Sequence, residues 1–260
     1  MNQRWKKAQK VEASYRDKNA ERRRRLSAEV RRQLSMEQQG NLARELQVHA
    51  LDLLTNYALV SVEQLQSMRI LEIGGTTTEC ALIGIHTPMK ITIDPLHDPY
   101  ERRDETCQYV YATGEYIPLP ASSVDLCWCS NVIDHTSSPS RVLDEIRRVL
   151  TDNGILAIGC NTFAGWVYPF LPILNKFDKP HPHHFTEAAF ERLALTNFDI
   201  TTRFAEKWNG EIVQIAEDGK LEVPLQISKH PVEYKKNKTS EIAEKVLNVR
   251  YVTFRCKPKS

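Results

Sequence analysis

Five short apolar runs alternate with more polar segments between positions 70 and 158. Runs of this length suit buried strands better than helices. Parallel strands need long, right-handed crossover connections, and the polar segments are long enough to provide them. The pattern therefore predicts an α/β fold with a mostly parallel sheet, whose ligands bind at the carboxyl ends of the strands. The predicted strands are residues 70–73, 91–93, 108–111, 124–129 and 155–158.

The segments on either side of this core have their own patterns. Residues 3–58 contain no Pro and are rich in helix-favouring residues, which predicts a helical extension whose part after Leu42 packs on the main domain. We expect this extension to span residues 1–60 and the main domain residues 61–260. The main domain divides into a cofactor-binding half, 61–160, and an acceptor-side half, 161–260, with an inserted hairpin at about 207–230.

Composition restricts the classes of partner. No apolar run is long enough to span a bilayer and no signal peptide pattern is present, so we expect a cytoplasmic protein. The six cysteines form no C-x-x-C pair, so no metal site is expected. Basic residues predominate in the first 32 positions. They can bind an anionic partner or form an ordinary solvated helix face.

Two strand ends carry residues suited to a nucleoside ligand. The first predicted strand runs into two glycines in LEIGGTTT, residues 71–78, where backbone N–H groups can approach a ligand closely. Asp94 follows the second strand, and an acid there can accept hydrogen bonds from ribose hydroxyls. Asp94 can equally cap the loop before Pro95.

A longer stretch is more specific because several motifs keep their order and spacing. TGEYIPLP at 113–120 precedes VDLCWC at 124–129, SNVIDH at 130–135, EIRRVL at 145–150 and NGIL at 153–156. Over residues 69–160 the chain closely resembles class I S-adenosylmethionine-dependent methyltransferases of the type 11 family. That resemblance implies a Rossmann-like fold with a mostly parallel seven-stranded sheet and an antiparallel last strand.

The resemblance also implies roles for individual residues, with S-adenosylmethionine as the cofactor. Glu72 and residues Gly74, Gly75 and Thr76 would wrap its amino-acid end. Asp94 would hold the ribose, and Thr113 and Gly114 would flank the adenine. Ser130 and Asn131 would line the methyl-transfer site, with His135 nearby.

Two positions depart from the family pattern. The usual turn is G-x-G-x-G, whereas threonines occupy positions 76–78 here, and β-branched residues resist positive φ. The residue beside the adenine is commonly Asp, and here it is the uncharged Thr113. Either the pocket is reshaped and still binds its cofactor, or cofactor binding is weakened or lost.

Histidines are the candidate catalytic residues. Moving the methyl group requires mainly alignment of the acceptor, and a hydroxyl acceptor also benefits from a general base such as His. The candidates are His135, His181, His183 and His184, with solvent-exposed loop imidazoles as the alternative. The aromatic residues Trp166, Tyr168, Phe170 and Phe177 can wall an acceptor pocket or simply pack.

Three functions remain open from the sequence. The first is a methyltransferase that acts on an oxygen of a small molecule, a glycan or a lipid-linked acceptor. The second is a non-catalytic binding or scaffold protein that kept the fold and altered the glycine-rich turn. The third is an RNA methyltransferase, which ranks last because no aromatic residues are interleaved with the basic ones.

Overall fold

The computed structural model describes most of the α/β core and part of its surroundings. The described residues are 3, 5–11, 13–14, 36–75, 82, 84–96, 106–177, 181–206, 211–216, 222–225, 227 and 249–259, of which residues 36–43, 46 and 175–177 are described without their side chains. Most of the basic N-terminal stretch, Thr76–Thr78 and the tip of the predicted hairpin lie outside this set.

The described elements follow the predicted alternation. The helices are α1 (Met36–Ala58), α2 (Val62–Gln66), α3 (Pro139–Val149), α4 (Leu171–Phe177) and α5 (Glu187–Ala194), and 3₁₀ turns span Ile133–His135 and Gly165–Phe170. The strands are β1 (Arg69–Ile73), β2 (Met89–Asp94), β3 (Gln108–Tyr111), β4 (Val124–Ser130), β5 (Leu150–Phe163), β6 (Phe185–Thr186), β7 (Phe198–Glu206), β8 (Ile212–Ile215), β9 (Glu222–Pro224) and β10 (Arg250–Pro258). Within the described residues, no helix is both long enough and apolar enough to span a membrane.

All ten strands belong to one sheet, in the order β3-β2-β1-β4-β5-β10-β7-β8-β9, with the short β6 pairing with β5. The pairs from β3 to β5 are parallel, and β10 is antiparallel to both β5 and β7. The predicted fold class is confirmed. The expected number of seven strands was too low, because β6 is added beside β5, and β8 and β9 extend the sheet beyond β7.

The two faces of the sheet bury separate apolar cores. Because side chains alternate along a strand, Leu71 and Ile73 of β1 face one core and Ile70 faces the other. The first core packs under α3 and α5, and the second packs under α1 through fully buried Leu54. The predicted packing of the N-terminal helix on the main domain is therefore confirmed.

An ion pair on α3 holds the loop that follows β3. The Glu145 carboxylate accepts a 3.0 Å hydrogen bond from the Ile117 N–H and pairs with Arg148 at 2.8 Å. Arg148 in turn donates to the carbonyl oxygens of Ile117 and Leu119. The hydrogen bond from Arg148 holds the pKa of Glu145 below its usual range. Two residues of the EIRRVL motif thus fix the IPLP loop.

We expect Glu145→Gln to lower the free energy of unfolding at pH 7 by about 2 kcal/mol, because it removes the charge from a buried, hydrogen-bonded pair. The depressed pKa means that this stabilisation is present above the unfolded-state pKa of about 4.3 and is lost as the pH falls through the lower folded-state pKa. The stability difference between wild type and variant should therefore shrink on acidification. Urea unfolding followed by tryptophan fluorescence at pH 7 and at lower pH measures it.

The matched control is Asp152→Asn. The Asp152 side chain is 91% exposed and lies 3.8 Å from Arg147, so its removal should change stability little at either pH. A Glu145→Gln deficit that stays constant as the pH falls would show that the ionised carboxylate is not what stabilises the loop.

Candidate functional site

Three strand ends meet at the centre of the parallel part of the sheet. Ile73 of β1 pairs with Ile93 of β2 on one side and with Cys129 of β4 on the other. The next residues along these strands are Gly74, Asp94 and Ser130, which brings the three predicted cofactor contacts side by side. Neighbouring strands lie about 4.8 Å apart, so Asp94 and Ser130 flank Gly74 from opposite sides.

The turn after β1 requires glycine at position 74 and passes close to a side chain at position 75. Gly74 has a φ of +84°, and a Cβ built there would lie 2.1 Å from Val132 Cγ2. A Cβ on Gly75 would lie 2.4 Å from the Glu72 carboxylate. The chain therefore passes very close to both the β4 end and the buried Glu72. Thr76, the fourth predicted residue of this turn, lies outside the described residues.

The two acidic candidates occupy neighbouring strands at this edge. Glu72 is 4% exposed, and its carboxylate accepts a 2.9 Å hydrogen bond from the Thr92 hydroxyl. Asp94 is 9% exposed, and its Oδ1 accepts a 2.7 Å hydrogen bond from the Leu96 N–H. Asp94 therefore does cap its own loop, which was one of its two sequence interpretations.

Thr113 and Gly114 lie against the end of β1. A Cβ on Gly114 would lie 3.0 Å from Val142 and 3.4 Å from Ile73, which places this turn between α3 and the first strand. The following Glu115 is 6% exposed and accepts hydrogen bonds from the N–H groups of Ser137 and Ser138. Sequence analysis assigned no role to this acid, which anchors the start of α3.

The end of β4 is held by polar contacts from the antiparallel side of the sheet. The Ser130 hydroxyl hydrogen-bonds with the Tyr251 hydroxyl of β10. Asn131 has a left-handed backbone, with a φ of 55°, and its Oδ1 accepts a 2.9 Å hydrogen bond from the Asn161 amide. Burial raises the pKa of Tyr251, which keeps its phenol protonated. Neither Tyr251 nor Asn161 was identified from sequence.

The candidate histidines gather beyond this corner. His135 closes the 3₁₀ turn after β4, and its ring centroid lies 4.4 Å from that of His181. The His184 ring lies 6.0 Å from His181 and 5.4 Å from Phe163 at the end of β5. His183 turns the other way and stacks on Phe185 at 6.2 Å. The structure thus brings three of the four candidates together.

A carboxylate that sequence analysis overlooked completes this group. Asp134 is 5% exposed, and its Oδ1 lies 3.9 Å from His135 Nε2. The backbone N–H of His183 donates a 3.2 Å hydrogen bond to the Asp134 carbonyl oxygen, which joins the histidine segment to the β4 turn. The SNVIDH motif contained the signal, because it places an acid directly before a histidine at a strand end.

The buried thiols near the site are poorly suited to nucleophilic chemistry. Burial, with a smaller contribution from the Asp134 charge, raises the pKa of Cys129 to about 12. Burial also raises the pKa of Cys160, and again the Asp134 charge adds to the effect. Because the thiolate is the reactive form, both cysteines stay unreactive near neutral pH.

The described residues fit a nucleoside carried on an amino acid. A Cβ at Gly74 would meet Val132, so the backbone after β1 runs there without a side chain, and buried carboxylates stand on β1 (Glu72) and β2 (Asp94). Carboxylate oxygens accept hydrogen bonds from ammonium and hydroxyl groups, which are the polar parts of such a ligand. The residues predicted to surround S-adenosylmethionine therefore form one continuous edge, apart from Thr76.

Part of the chain is similar to a known family. Residues 84–158 match the sequence profile of a family described as a methyltransferase domain. An uncharacterized methyltransferase from Mycobacteroides abscessus is 34% identical over 68 residues, which are 26% of this chain and 25% of that protein. The alignment thus spans about a quarter of the length of this curated relative.

Solved structures show the same fold across most of the chain. A putative methyltransferase from Bacillus halodurans aligns with a TM-score of 0.56 at 13% identity and covers 80% of this chain and 99% of that one. The alignment with the [4+2]-cyclase SpnF has a TM-score of 0.54 at 15% identity and covers 81% of this chain and 80% of that one. At these identities the likeness concerns the fold alone, and one fold hosts several chemistries.

Proposed function

We propose that this chain transfers a methyl group from S-adenosylmethionine to a hydroxyl oxygen of an acceptor. The observation that carries the proposal is the convergence of Gly74, Asp94 and Ser130 at three adjacent strand ends, with a glycine turn shaped by Glu72 between them. Open α/β sheets bind their ligands at this place. The methyltransferase profile match over residues 84–158 agrees with it.

Each described residue then has a defined task. Glu72 binds the ammonium of the cofactor, while the backbone of Gly74 and Gly75 approaches its amino-acid end. The Asp94 carboxylate accepts a hydrogen bond from the ribose. Thr113 and Gly114 border the adenine, since their turn packs beside Ile73. Ser130 and Asn131 line the point at which the methyl group is transferred.

Bound S-adenosylmethionine supplies a methyl group already activated by its positive sulfur. The acceptor hydroxyl loses its proton to an imidazole, and its oxygen forms the new bond to the methyl carbon. S-adenosylmethionine, when bound, would supply this methyl carbon and leave as S-adenosylhomocysteine, with the electron pair of the carbon–sulfur bond on sulfur. We assign the role of proton acceptor to His184, because its ring lies beside Phe163 at the end of β5 and next to His181.

The acceptor has an apolar part. Trp166, Tyr168 and Phe170 are 56%, 60% and 51% exposed in the 3₁₀ turn that directly follows β5. Simple packing, which was the alternative for these three residues, does not account for such exposure. Among the acceptors open from the sequence, a lipid-linked glycan or a small aromatic molecule suits exposed aromatic residues beside a group of histidines.

The test of activity uses the tag-free protein, S-adenosylmethionine and a panel of hydroxylated aromatic and lipid-linked acceptors, with mass spectrometry for the product. We expect His184→Ala to lower kcat by about a hundredfold or more while cofactor affinity is unchanged. Exposed His86 supplies the matched control, His86→Ala, with wild-type rates.

The scaffold hypothesis predicts a different outcome. Calorimetric titration would then detect no S-adenosylmethionine binding, and the cofactor would not raise the melting temperature even at millimolar concentration. That result would exclude the proposed activity, because a ligand of the native state must stabilise it.

A further inference from the structure

We propose that Asp134, His135 and His181 bind a divalent first-row transition-metal ion. One potential ligand atom from each of these three residues lies within 4.8 Å of the other two. Asp134 and His135 come from the turn after β4, whereas His181 precedes β6. The group therefore joins two separate segments at the carboxyl edge of the parallel strands.

The condition of Asp134 is the independent observation that points to a cation. Its side chain is 7% exposed, and its Oδ1 is buried with no hydrogen-bond partner. Leaving a buried carboxylate oxygen unsatisfied is costly, and for an ionised group the cost is larger than for a neutral one. His135 Nε2 lies 3.9 Å from this oxygen, which is too far for a hydrogen bond. A bound cation satisfies this oxygen directly.

The donor set selects the type of ion. Two imidazoles and one carboxylate suit zinc, manganese and iron, whereas magnesium and calcium prefer oxygen ligands. Ligand atoms around a shared zinc ion at about 2.1 Å stand roughly 3.4 Å apart. The present spacing of up to 4.8 Å is wider, and we expect the two partly exposed imidazoles to rotate toward a bound ion.

Backbone contacts fix the segments that carry the ligands. The His135 N–H donates a 2.9 Å hydrogen bond to the Val132 carbonyl oxygen within the 3₁₀ turn, and fully buried Ile133 anchors that turn in the core. On the other side, Thr162 and Phe163 of β5 pair with β6 four residues after His181. The ligand positions are thus set by the sheet, and only the side chains need to adjust.

Three protein ligands leave coordination positions open, as in catalytic rather than structural metal sites. If the proposed function holds, an acceptor oxygen occupies one of these positions, and the ion lowers the pKa of that hydroxyl. His184, which is outside the ligand set, then takes the proton. This role depends on the proposed function, whereas metal binding itself does not.

The test is calorimetric titration of tag-free, chelator-stripped protein with Zn²⁺ and, separately, Mn²⁺. We expect one ion per chain for at least one of these metals. The variants Asp134→Asn and His181→Ala should each lower the affinity by about a hundredfold or more. His86→Ala, which removes an exposed histidine before β2, should bind like wild type. Unchanged binding in Asp134→Asn, or no binding of either metal by wild type, would overturn the proposal.

Two further measurements separate a lost ligand from a damaged fold. Metal should raise the melting temperature of wild type and leave that of Asp134→Asn unchanged, because only a native-state ligand shifts the unfolding equilibrium. Without metal, Asp134→Asn should melt no lower than wild type, since the neutral amide costs less to bury. His183→Ala should retain the metal; if it loses binding while Asp134→Asn keeps it, the ligands are other histidines and the proposed set is wrong.

Titration of the stripped protein with S-adenosylmethionine distinguishes the two proposals. Cofactor binding without metal binding in wild type would overturn the metal site and leave the proposed function intact. Metal binding that is lost in Asp134→Asn, without cofactor binding, would support the metal site and exclude the methyltransferase activity.

Discussion

Replacing Gly74 by alanine is expected to lower the free energy of unfolding by about 3 kcal/mol and to abolish detectable binding of S-adenosylmethionine. The backbone there has a φ of +84°, which costs a residue with a Cβ about 1 kcal/mol. The new Cβ would also lie 2.1 Å from Val132 Cγ2, and such overpacking typically costs about 1–3 kcal/mol more. Urea unfolding and calorimetric titration measure the two effects.

A second substitution tests the cause. Val132→Ala removes the methyl groups that the new Cβ would meet, so Gly74→Ala combined with Val132→Ala should recover part of the lost stability relative to the sum of the single changes. Gly165→Ala is the matched control, because a Cβ there has no neighbour within 4 Å. Equal destabilisation by Gly74→Ala and Gly165→Ala would contradict the described turn.

Asp94→Asn should weaken S-adenosylmethionine binding about a hundredfold without unfolding the domain. Asparagine keeps an Oδ1 that can accept the 2.7 Å hydrogen bond from the Leu96 N–H, so the loop after β2 should be preserved. What is lost is the charge on the acceptor of the ribose hydroxyls, and hydrogen bonds to charged groups are worth about 1.5–3 kcal/mol each. Calorimetry measures the dissociation constant.

The same change should weaken the binding of S-adenosylhomocysteine by an equal factor, because the two ligands share the ribose. Asp152→Asn, at a 91% exposed side chain, controls for the general loss of one negative charge. A variant that binds both ligands as tightly as wild type would remove Asp94 from the proposed site and leave it only its loop-capping hydrogen bond.

The parallel core could be predicted because its physics is local. A buried strand between helices is mostly apolar along its length, and so are the predicted runs within β1, β2, β4 and β5. Apolar spacing at helical period likewise predicted the docking of α1. The length of the sheet could not be predicted, since β8 and β9 are short and their place beside β7 depends on pairing between distant segments.

The motif residues divide into two kinds that sequence alone does not distinguish. Glu145 and Arg148 recur in the family pattern, and in this structure they bind the loop at Ile117 and Leu119 rather than a ligand. Glu115 similarly anchors the start of α3. Only coordinates show where a carboxylate's oxygens are directed, so these structural acids could not be separated from Asp94 beforehand.

The proximity of Asp134 to His181 could not be predicted from the sequence for a different reason. The two residues are far apart in sequence, and they meet because β6 pairs with the end of β5. The sequence predicted His181, His183 and His184 only as candidate catalytic residues. In the structure the His183 ring stacks on Phe185, and the Asp134 carboxylate from the turn after β4 lies near His181.

The position of β10 within the sheet constrains the order of assembly. This strand is the last described one in the sequence, yet it lies between β5 and β7 and hydrogen-bonds with both. Until residues 250–258 have left the ribosome, strands β7 to β9 have no strand through which to join the parallel strands β1 to β5. During synthesis the nascent chain therefore has unpaired edges at β5 and at β7. Interrupted translation would release an incomplete sheet that is prone to edge-to-edge aggregation.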